Sequence, residues 1–248
     1  MDDYAASTYG DRIAEHYDDW YADLSFGGDL AATVTFLKAL AGGGPALELG
    51  IGTGRVALPL LEADVEVHGI DASNAMLERL RAKPHGAEIP TTVGDFRAFD
   101  LGRRFPLVYV VFNTFFGLQT QDEQVDAFRA VAEHLEPGGA FVMEAFTPDP
   151  SRFERGQRVG VVDVEVDEVV LEASMHDPVE QRTRSQRVVM TPAGIRLYPV
   201  VIRYAYPSEL DLMARLAGLR LLERWGDWDR TPLDASSAKH VSVWQRPG

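Results

Sequence analysis

Short apolar runs alternate with longer segments of helical period between residues 45 and 147. The short runs have the length and aliphatic content of buried strands, and the longer segments repeat their apolar positions as amphipathic helices do. The predicted strands are residues 46–50, 65–70, 88–93, 107–112 and 140–146, and the predicted helices are residues 54–62, 74–83 and 122–135. This alternation predicts an α/β fold, with a parallel sheet covered by helices.

The pattern differs on both sides of this core. Residues 8–22 form an amphipathic segment in which Tyr9, Ile13, Tyr17 and Tyr21 recur every four positions, which places them on one face of a helix. A second helix is predicted over residues 29–40. After Thr147 the apolar positions take the period of strands, and the predicted strands are residues 159–166, 169–176, 182–190 and 195–206.

These later strands are predicted to be antiparallel, because no helix lies between them to make a parallel crossover. A helix over residues 207–216 and two strands over 220–225 and 240–244 then return to the main sheet. We therefore expect one domain, 1–248. Its parts are a helical cap (1–44), a core (45–147), an antiparallel insertion (148–206) and a C-terminal part of the core (207–248).

Charge and composition narrow the range of functions. The chain has 24 Lys and Arg against 38 Asp and Glu, a net charge of −14, with no basic stripe and no cysteine. Such a surface repels nucleic acid and anionic lipid. No apolar run reaches the length of a membrane span or a signal peptide, and the histidines and acids show no metal-ligand spacing. We expect a soluble cytoplasmic protein without a metal, a nucleic-acid partner or a membrane partner.

A glycine-rich turn carries the strongest chemical signal. Residues 47–55 read as a strand that enters a turn with three glycines, and Asp71 ends the next strand. This arrangement is typical of the first unit of a dinucleotide-binding fold, in which the acid binds ribose hydroxyls. Arg55 stands where a dinucleotide site has its third glycine, and Glu48 would repel a pyrophosphate. A cationic adenosyl ligand therefore fits better than a nicotinamide dinucleotide, and a nicotinamide-dependent oxidoreductase is the alternative.

With these landmarks, the chain resembles class I S-adenosylmethionine-dependent methyltransferases of the small-molecule type, such as amino-sugar N-methyltransferases with a β insertion. The landmarks are Glu48-Leu49-Gly50-Ile51-Gly52-Thr53-Gly54, Asp71, Gly94-Asp95-Phe96, Val111-Phe112-Asn113 and Leu135-Glu136-Pro137-Gly138-Gly139. The resemblance implies a Rossmann-like, seven-stranded, mostly parallel sheet. An N-terminal helical cap precedes it, and an antiparallel β lid follows the fifth strand.

The resemblance also implies the cofactor and the residues that bind it. The cofactor is S-adenosylmethionine and the product S-adenosylhomocysteine. Gly50 and Gly52 would pack against the methionine part, while Asp71 would accept both ribose hydroxyls. The remaining cofactor-binding residues that it implies are Asp95, Phe96, Ala72 and Met76 around the adenine, the Phe112 carbonyl and Glu48 near the amino group, and Tyr9 and Tyr17 at the methionine carboxylate.

The acceptor side rests on fewer observations. Glu144 ends the fifth strand, at the sheet edge where open α/β sheets bind ligands, and it is the first candidate base. His16 and His176 are the second and third candidates. The predicted acceptor-binding residues are Asn113, Arg203, Tyr206 and Trp225. We expect methyl transfer to nitrogen or oxygen of a small molecule, by a monomer or a homodimer formed through the lid. Carbon methylation and a non-catalytic methyltransferase-like scaffold stay open as alternatives.

Overall fold

The computed structural model describes residues 3–21 and 30–248, and it contains two β-sheets. The larger sheet has seven strands: β1 (Ala46–Leu49), β2 (Val67–Asp71), β3 (Thr91–Val93), β4 (Phe105–Val110), β5 (Leu135–Phe146) and, near the C-terminus, β10 (Arg220–Trp225) and β11 (Lys239–Gln245). The smaller sheet has four strands from the intervening segment: β6 (Gln157–Val164), β7 (Val169–Asp177), β8 (Arg182–Thr191) and β9 (Gly194–Arg203).

The order of the larger sheet determines where a ligand can bind. Its strands lie in the order β10-β11-β5-β4-β1-β2-β3, and β1 pairs in parallel with both β2 and β4. From β1 the chain adds β2 and β3 on one side of the sheet, and from β4 it adds β5 on the other side. A crevice opens beyond the carboxyl ends of two strands at such a reversal. Only β11 runs against the other six strands, in its antiparallel pairs with β10 and β5, so the predicted mostly parallel sheet is confirmed.

Of the described helices, the first two belong to the cap, and the other five cover the two faces of this sheet. The helices, in chain order, are α1 (Thr8–Ile13), α2 (Tyr17–Trp20), α3 (Leu30–Ala41), α4 (Ala57–Glu62), α5 (Asn74–Arg81), α6 (Gln121–His134) and α7 (Pro207–Leu216). Alternate residues of β4 belong to different cores: Val108 packs in the cluster that includes α6 and α7, and Leu107 packs in the cluster that includes α3, α4 and α5. This alternation follows from the two-residue period of a strand. None of the helices in residues 3–21 and 30–248 combines the length and apolar character that a bilayer crossing requires.

The structure corrects several predicted boundaries. The segment predicted as one helix over 8–22 consists of α1 and α2, with a turn at residues 14–16 between them. Position 22 and position 29, the predicted start of the next helix, lie outside the described residues. β3 is shorter than predicted because residues 86–88 form a 3-10 turn. β4 ends before Phe112 because Phe112 and Asn113 have positive φ angles, which a strand does not accommodate.

The smaller sheet is the predicted antiparallel lid, and its pairs β6–β7, β7–β8 and β8–β9 are all antiparallel. Its last strand ends at Arg203 rather than at residue 206. The buried Arg203 guanidinium forms an ion pair with Glu209 of α7 at 2.7 Å. It also donates to Gln124 Oε1 of α6 at 2.7 Å and to Gln181 Oε1 at 3.1 Å. Arg203 therefore joins the lid to the helices, and it does not line the cavity described below.

Because Arg203 is one half of a largely buried ion pair, Arg203→Ala is expected to lower the free energy of unfolding by about 3 kcal/mol. Urea unfolding measures this change. Arg196→Ala removes an exposed arginine from the same strand and is expected to change stability by less than about 0.5 kcal/mol. Equal stability of the two variants would contradict the structural role assigned to Arg203.

Candidate functional site

A cavity of about 420 Å³ lies at the carboxyl edge of the larger sheet, where the strand order reverses. The glycine turn after β1 and the ends of β2 and β4 form its floor. The cap and one face of the lid cover it. The predicted site residues that line it are Tyr9, Tyr17, Gly50, Gly52, Asp71, Ala72, Met76, Asp95, Phe96, Phe112 and Asn113. The structure therefore brings the predicted cofactor-binding residues together around one cavity, with the exception of Glu48.

The three glycines of the turn have different surroundings. All have positive φ angles, at +68° for Gly50, +56° for Gly52 and +81° for Gly54. A Cβ on Gly50 would lie 2.3 Å from Thr114 Cγ2, and one on Gly54 would lie 2.4 Å from Leu80 Cδ1. A Cβ on Gly52 would have only a backbone oxygen near it, at 4.0 Å. Gly50 and Gly54 thus permit close packing, whereas Gly52 leaves open space for a ligand.

The Asp71 carboxylate connects the ends of β1 and β2. Its Oδ2 accepts a hydrogen bond from the Gly52 amide at 2.8 Å, and its Oδ1 accepts one from the Ser73 amide at 2.8 Å. Burial raises the pKa of Asp71, while the two amides oppose that shift. An ionised carboxylate has about four acceptor positions, so each oxygen can still accept one further donor. This geometry suits a pair of neighbouring hydroxyls, such as those of a ribose.

The cap is docked tightly on the loop that carries Asp71. A Cβ on Gly10 of α1 would lie 2.6 Å from Ser73 Cβ, and Ser73 Oγ donates to Asp11 Oδ1 at 2.6 Å. On α2, Asp18 accepts hydrogen bonds from Thr53 Oγ1 at 2.7 Å and from Lys83 at 2.8 Å. The cap is thus held against both the glycine turn and α5. Sequence analysis missed these contacts.

Tyrosines of the cap meet at the cavity. The hydroxyls of Tyr9 and Tyr21 lie 3.0 Å apart, and the rings of Tyr17 and Tyr21 have centroids 4.7 Å apart. Burial raises the pKa of Tyr9 and of Tyr17, which keeps both hydroxyls protonated at neutral pH. Both side chains are therefore hydrogen-bond donors at the wall of the cavity. Trp20 and Tyr21 also line it, although no site role was predicted for them.

The backbone after β4 is strained at two consecutive residues. Phe112 has a φ angle of 60° and Asn113 one of 64°. Such angles cost about 1–3 kcal/mol at each residue other than glycine, and surrounding contacts must hold them. The Phe112 amide donates to Glu144 Oε2 at 3.1 Å, and Asn113 Oδ1 accepts from the Phe146 amide at 2.7 Å. The Arg55 guanidinium lies 4.0 Å from the centre of the Phe112 ring. The strained pair is thus fixed at the cavity floor.

Glu144, the first candidate base, does not line the cavity. It is buried, and its Oε1 pairs with Lys239 at 3.0 Å while its Oε2 accepts from Phe112. Lys239 also pairs with Asp227 at 2.9 Å, and these carboxylates raise the pKa of the Lys239 amine. Glu144 therefore stabilises the strained backbone from outside the cavity. It does not line the space in which an acceptor would bind.

The other two base candidates also lie outside the lining. His16 stacks on Trp20 with ring centroids 5.4 Å apart, on the cap. His176 hydrogen-bonds the Tyr204 hydroxyl at 2.9 Å and stacks on Phe153 at 4.5 Å. Phe153 and Tyr204 themselves line the cavity, so His176 is one side chain removed from it. Both histidines support aromatic walls.

The remaining predicted residues outside the lining are Glu48, Tyr206 and Trp225. Glu48 is buried in the core, where it accepts from the Tyr109 hydroxyl at 2.9 Å. Burial raises the pKa of Glu48 to about 8, and nearby hydrogen bonds limit the shift. Tyr206 is exposed and precedes the first residue of α7, and Trp225 is partly buried against the hydrophobic core that also contains Leu107. Neither aromatic forms an acceptor wall.

Asp95, the predicted adenine-binding residue, lines the cavity with its carboxylate already engaged. Its oxygens accept from the Arg97 amide at 2.9 Å and from Arg97 Nε at 2.7 Å, and Arg97 also pairs with Glu123 at the start of α6. These contacts fix the loop after β3. Across residues 3–21 and 30–248, no three His, Asp or Glu side chains gather as a metal site.

The lid contributes polar residues that sequence analysis did not single out. One face of β7, β8 and β9 lines the cavity with the side chains of Glu172, Ser174, Thr183, Ser185, Arg187 and Tyr198. The partners Ser174 and Ser185 lie directly opposite each other, with their hydroxyls 2.7 Å apart. The polar residues at every second position of these strands could have predicted, from the sequence alone, a strand face that is turned toward a cavity.

Comparison with known proteins identifies the family. Residues 46–139 match the model of the methyltransferase domain family. The chain is 31% identical to cypemycin N-terminal methyltransferase of Streptomyces sp, over 97% of this chain and 98% of that one. This chain belongs to the S-adenosylmethionine-dependent methyltransferases. A nicotinamide-dependent oxidoreductase is therefore set aside. Because the chain is an enzyme of this family, the non-catalytic scaffold is set aside as well.

Solved structures agree with this assignment. The methyltransferase is 46% identical to the CcbJ methyltransferase of Streptomyces caelestis, with a TM-score of 0.92 over 99% of this chain and 100% of that one. CalS10, an S-adenosylmethionine-bound amino pentose methyltransferase of Micromonospora echinaspora, is 27% identical, with a TM-score of 0.70 over 93% and 96% of the chains. S-adenosylmethionine is the cofactor. The open side of Gly52 and the free acceptor positions of Asp71 fit its methionine part and its ribose.

Substitutions at two glycines distinguish the loss of space for the cofactor from the strain of a positive φ angle. Gly52→Ala is expected to weaken S-adenosylmethionine binding at least about tenfold in calorimetry, equivalent to about 1.4 kcal/mol, because the new Cβ enters the cavity. Gly102→Ala is the control, since Gly102 has a φ angle of +63° with nothing within 4 Å of its Cβ position. Both variants are expected to lose about 1–2 kcal/mol of stability. Unchanged cofactor affinity in Gly52→Ala would contradict the assignment of the open space beside Gly52 to S-adenosylmethionine.

Proposed function

We propose that this methyltransferase transfers a methyl group to the nitrogen of a small-molecule amine held between the glycine turn and the lid. The observation that carries the proposal is the covered cavity, in which the polar lid face and the Asp71 end share one space. A cavity of about 420 Å³ has the size of small-ligand sites, so it suits a metabolite rather than a folded macromolecule.

The relatives support nitrogen as the accepting atom. Cypemycin N-terminal methyltransferase is named for an N-terminal amine. A relative from Saccharopolyspora spinosa, 33% identical over 60% of each chain, is a dTDP-4-amino-2,3,4,6-tetradeoxy-D-glucose N,N-dimethyltransferase. CalS10 is an amino pentose methyltransferase. Amines of quite different molecules are thus methylated on this fold, and amino sugars and amino-acid or peptide amines are the first acceptors to test.

The residues of the cavity support methyl transfer through positioning. Bound S-adenosylmethionine supplies an electrophilic methyl group. Asp71 and the glycine turn would hold the cofactor from the sheet edge, while Tyr9 and Tyr17 would donate hydrogen bonds from the cap. The cap and the lid cover the cavity and exclude water. Alignment of the nucleophile with the methyl group and exclusion of water supply much of the rate in such displacements.

The acceptor amine must react as the free base, because an ammonium has no lone pair. No histidine belongs to the cavity lining within the described residues. Hydrogen bonds from Ser151 lower the pKa of Asp149, the carboxyl on the loop after β5, so that this group is a poor base. We infer that the amine loses its proton to solvent before transfer and that the cavity selects the neutral amine.

A panel of acceptors tests the reaction class. The enzyme and S-adenosylmethionine are incubated with dTDP-amino sugars and with amino acids and short peptides, each beside the analogue that has a hydroxyl in place of the amine. Mass spectrometry is expected to find a methylated amine and no methylated hydroxyl analogue. Fragmentation that places the methyl group on oxygen or carbon would contradict the proposal and favour the corresponding alternative.

The pH dependence tests how the proton leaves. With two acceptors whose amine pKa values differ by about two units, kcat/KM is expected to rise with pH and to level off at each acceptor's own amine pKa. His16→Asn and His176→Asn are expected to keep these profiles. An inflection that stays near pH 6.5 for both acceptors, and that disappears in one of these variants, would show that a histidine acts as base.

The lid also supports a proposal for assembly, as a homodimer formed through this sheet. β6 is an edge strand, and the apolar side chains Val159, Val161, Ile195 and Leu197 are exposed. Exposed edges and apolar surfaces of this kind favour pairing. Sedimentation velocity over a range of concentrations distinguishes this dimer from a monomer. A cytoplasmic location is likewise part of the proposal, and cell fractionation tests it.

A further inference from the structure

Arg187 of β8 is a cation of the cavity lining, and the reaction does not explain its role. Its side chain lines the cavity, and its guanidinium carbon lies 4.4 Å from the centre of the Trp20 ring. The Nε atom is buried without a hydrogen-bond partner. Within residues 3–21 and 30–248, no carboxylate forms an ion pair with this guanidinium. Arg187 is half-buried, and charged groups that are partly removed from water are generally paired, because an unpaired charge in such a place is costly.

The absence of an ion pair to Arg187 is notable because a carboxylate lies directly beside it on the neighbouring strand. Glu172 of β7 is the direct cross-strand neighbour of Arg187, and Tyr198 of β9 is the neighbour on the other side. Opposite charges at such positions usually attract each other. Here the guanidinium lies over Trp20 of the cap instead. It is therefore held in the cavity by a ring contact, with hydrogen-bond donors that remain free.

The surroundings are suited to a polar ligand. The next row of the lid presents the hydroxyls of Ser174 and Ser185, and Tyr198 packs edge-on against Trp20 at 4.7 Å. A guanidinium stacked on an aromatic ring is preorganised, and its planar donors match carboxylates and phosphates. This end of the cavity thus has a fixed cation, hydroxyl groups and an aromatic wall, within a protein whose net charge is −14.

We propose that Arg187 binds an anionic group of the acceptor, a carboxylate or a phosphate, while the amine of the same molecule is methylated. This inference rests on the proposed function, because it assigns the acceptor end of that cavity. It defines the substrate class as amines that also carry a negative charge. Amines of the same size that carry no anionic group would not form an ion pair with the guanidinium, and they would bind more weakly.

Calorimetry on the enzyme saturated with S-adenosylhomocysteine tests this without turnover. The probes are dTDP and thymidine, which differ in the diphosphate, and N-acetylglycine and N-acetylglycinamide, which differ in the carboxylate. We expect the wild type to bind the charged member of at least one pair at least about tenfold more tightly. Arg187→Gln is expected to remove that preference, and Arg187→Lys to retain part of it. The pair that shows the preference identifies the anion as a phosphate or a carboxylate.

Arg184→Gln is the matched control, because Arg184 is an exposed arginine of the same strand and does not line the cavity. It is expected to keep the wild-type preference. Three results would overturn the proposal: no charge preference in the wild type, an unchanged preference in Arg187→Gln, or a loss of S-adenosylmethionine affinity in Arg187→Gln, which would place the guanidinium at the cofactor. Failure of the proposed function is a separate result, since it appears as wild-type enzyme that methylates no amine in the acceptor panel.

Discussion

The hydrogen bond from the Gly52 amide to the Asp71 carboxylate is the contact on which the site depends. It joins the ends of two parallel strands beside the point where the strand order reverses, and it fixes the glycine turn with its open side toward the cavity. The same carboxylate accepts from Ser73, whose hydroxyl binds Asp11 of the cap. One partly buried carboxylate therefore joins the floor of the cavity to the loop on which the cap docks.

The cavity has two ends with different chemistry. At the sheet edge, backbone amides, one carboxylate and tyrosine hydroxyls form a surface that fits an adenosyl ligand. At the lid, paired serine hydroxyls lie beside Arg187, which forms no ion pair with a carboxylate of the described residues. Between them lies the strained backbone of Phe112 and Asn113, supported by the buried pair of Glu144 and Lys239.

The parallel core and the residues that line the sheet end of the cavity could be predicted because their signals are local. A strand, a glycine turn and an acid at the end of the next strand have fixed spacing in any such fold, so Gly52 and Asp71 were found from sequence. Glu144 and Arg203 were misassigned for the opposite reason. A charged residue near a strand end points either to a cavity or to a buried partner, and Lys239 and Glu209 are distant in sequence or belong to another element. Arg187 was missed because its role depends on which face of the lid turns inward.

The most direct measurement is a crystal structure of the enzyme with S-adenosylhomocysteine. It is expected to show the Asp71 carboxylate accepting hydrogen bonds from both ribose hydroxyls while it keeps the Gly52 amide, with the amino-acid part of the product beside the open face of that glycine. A ribose bound elsewhere, or a crevice closed by packed side chains, would contradict the placement of the cofactor and, with it, of the acceptor end.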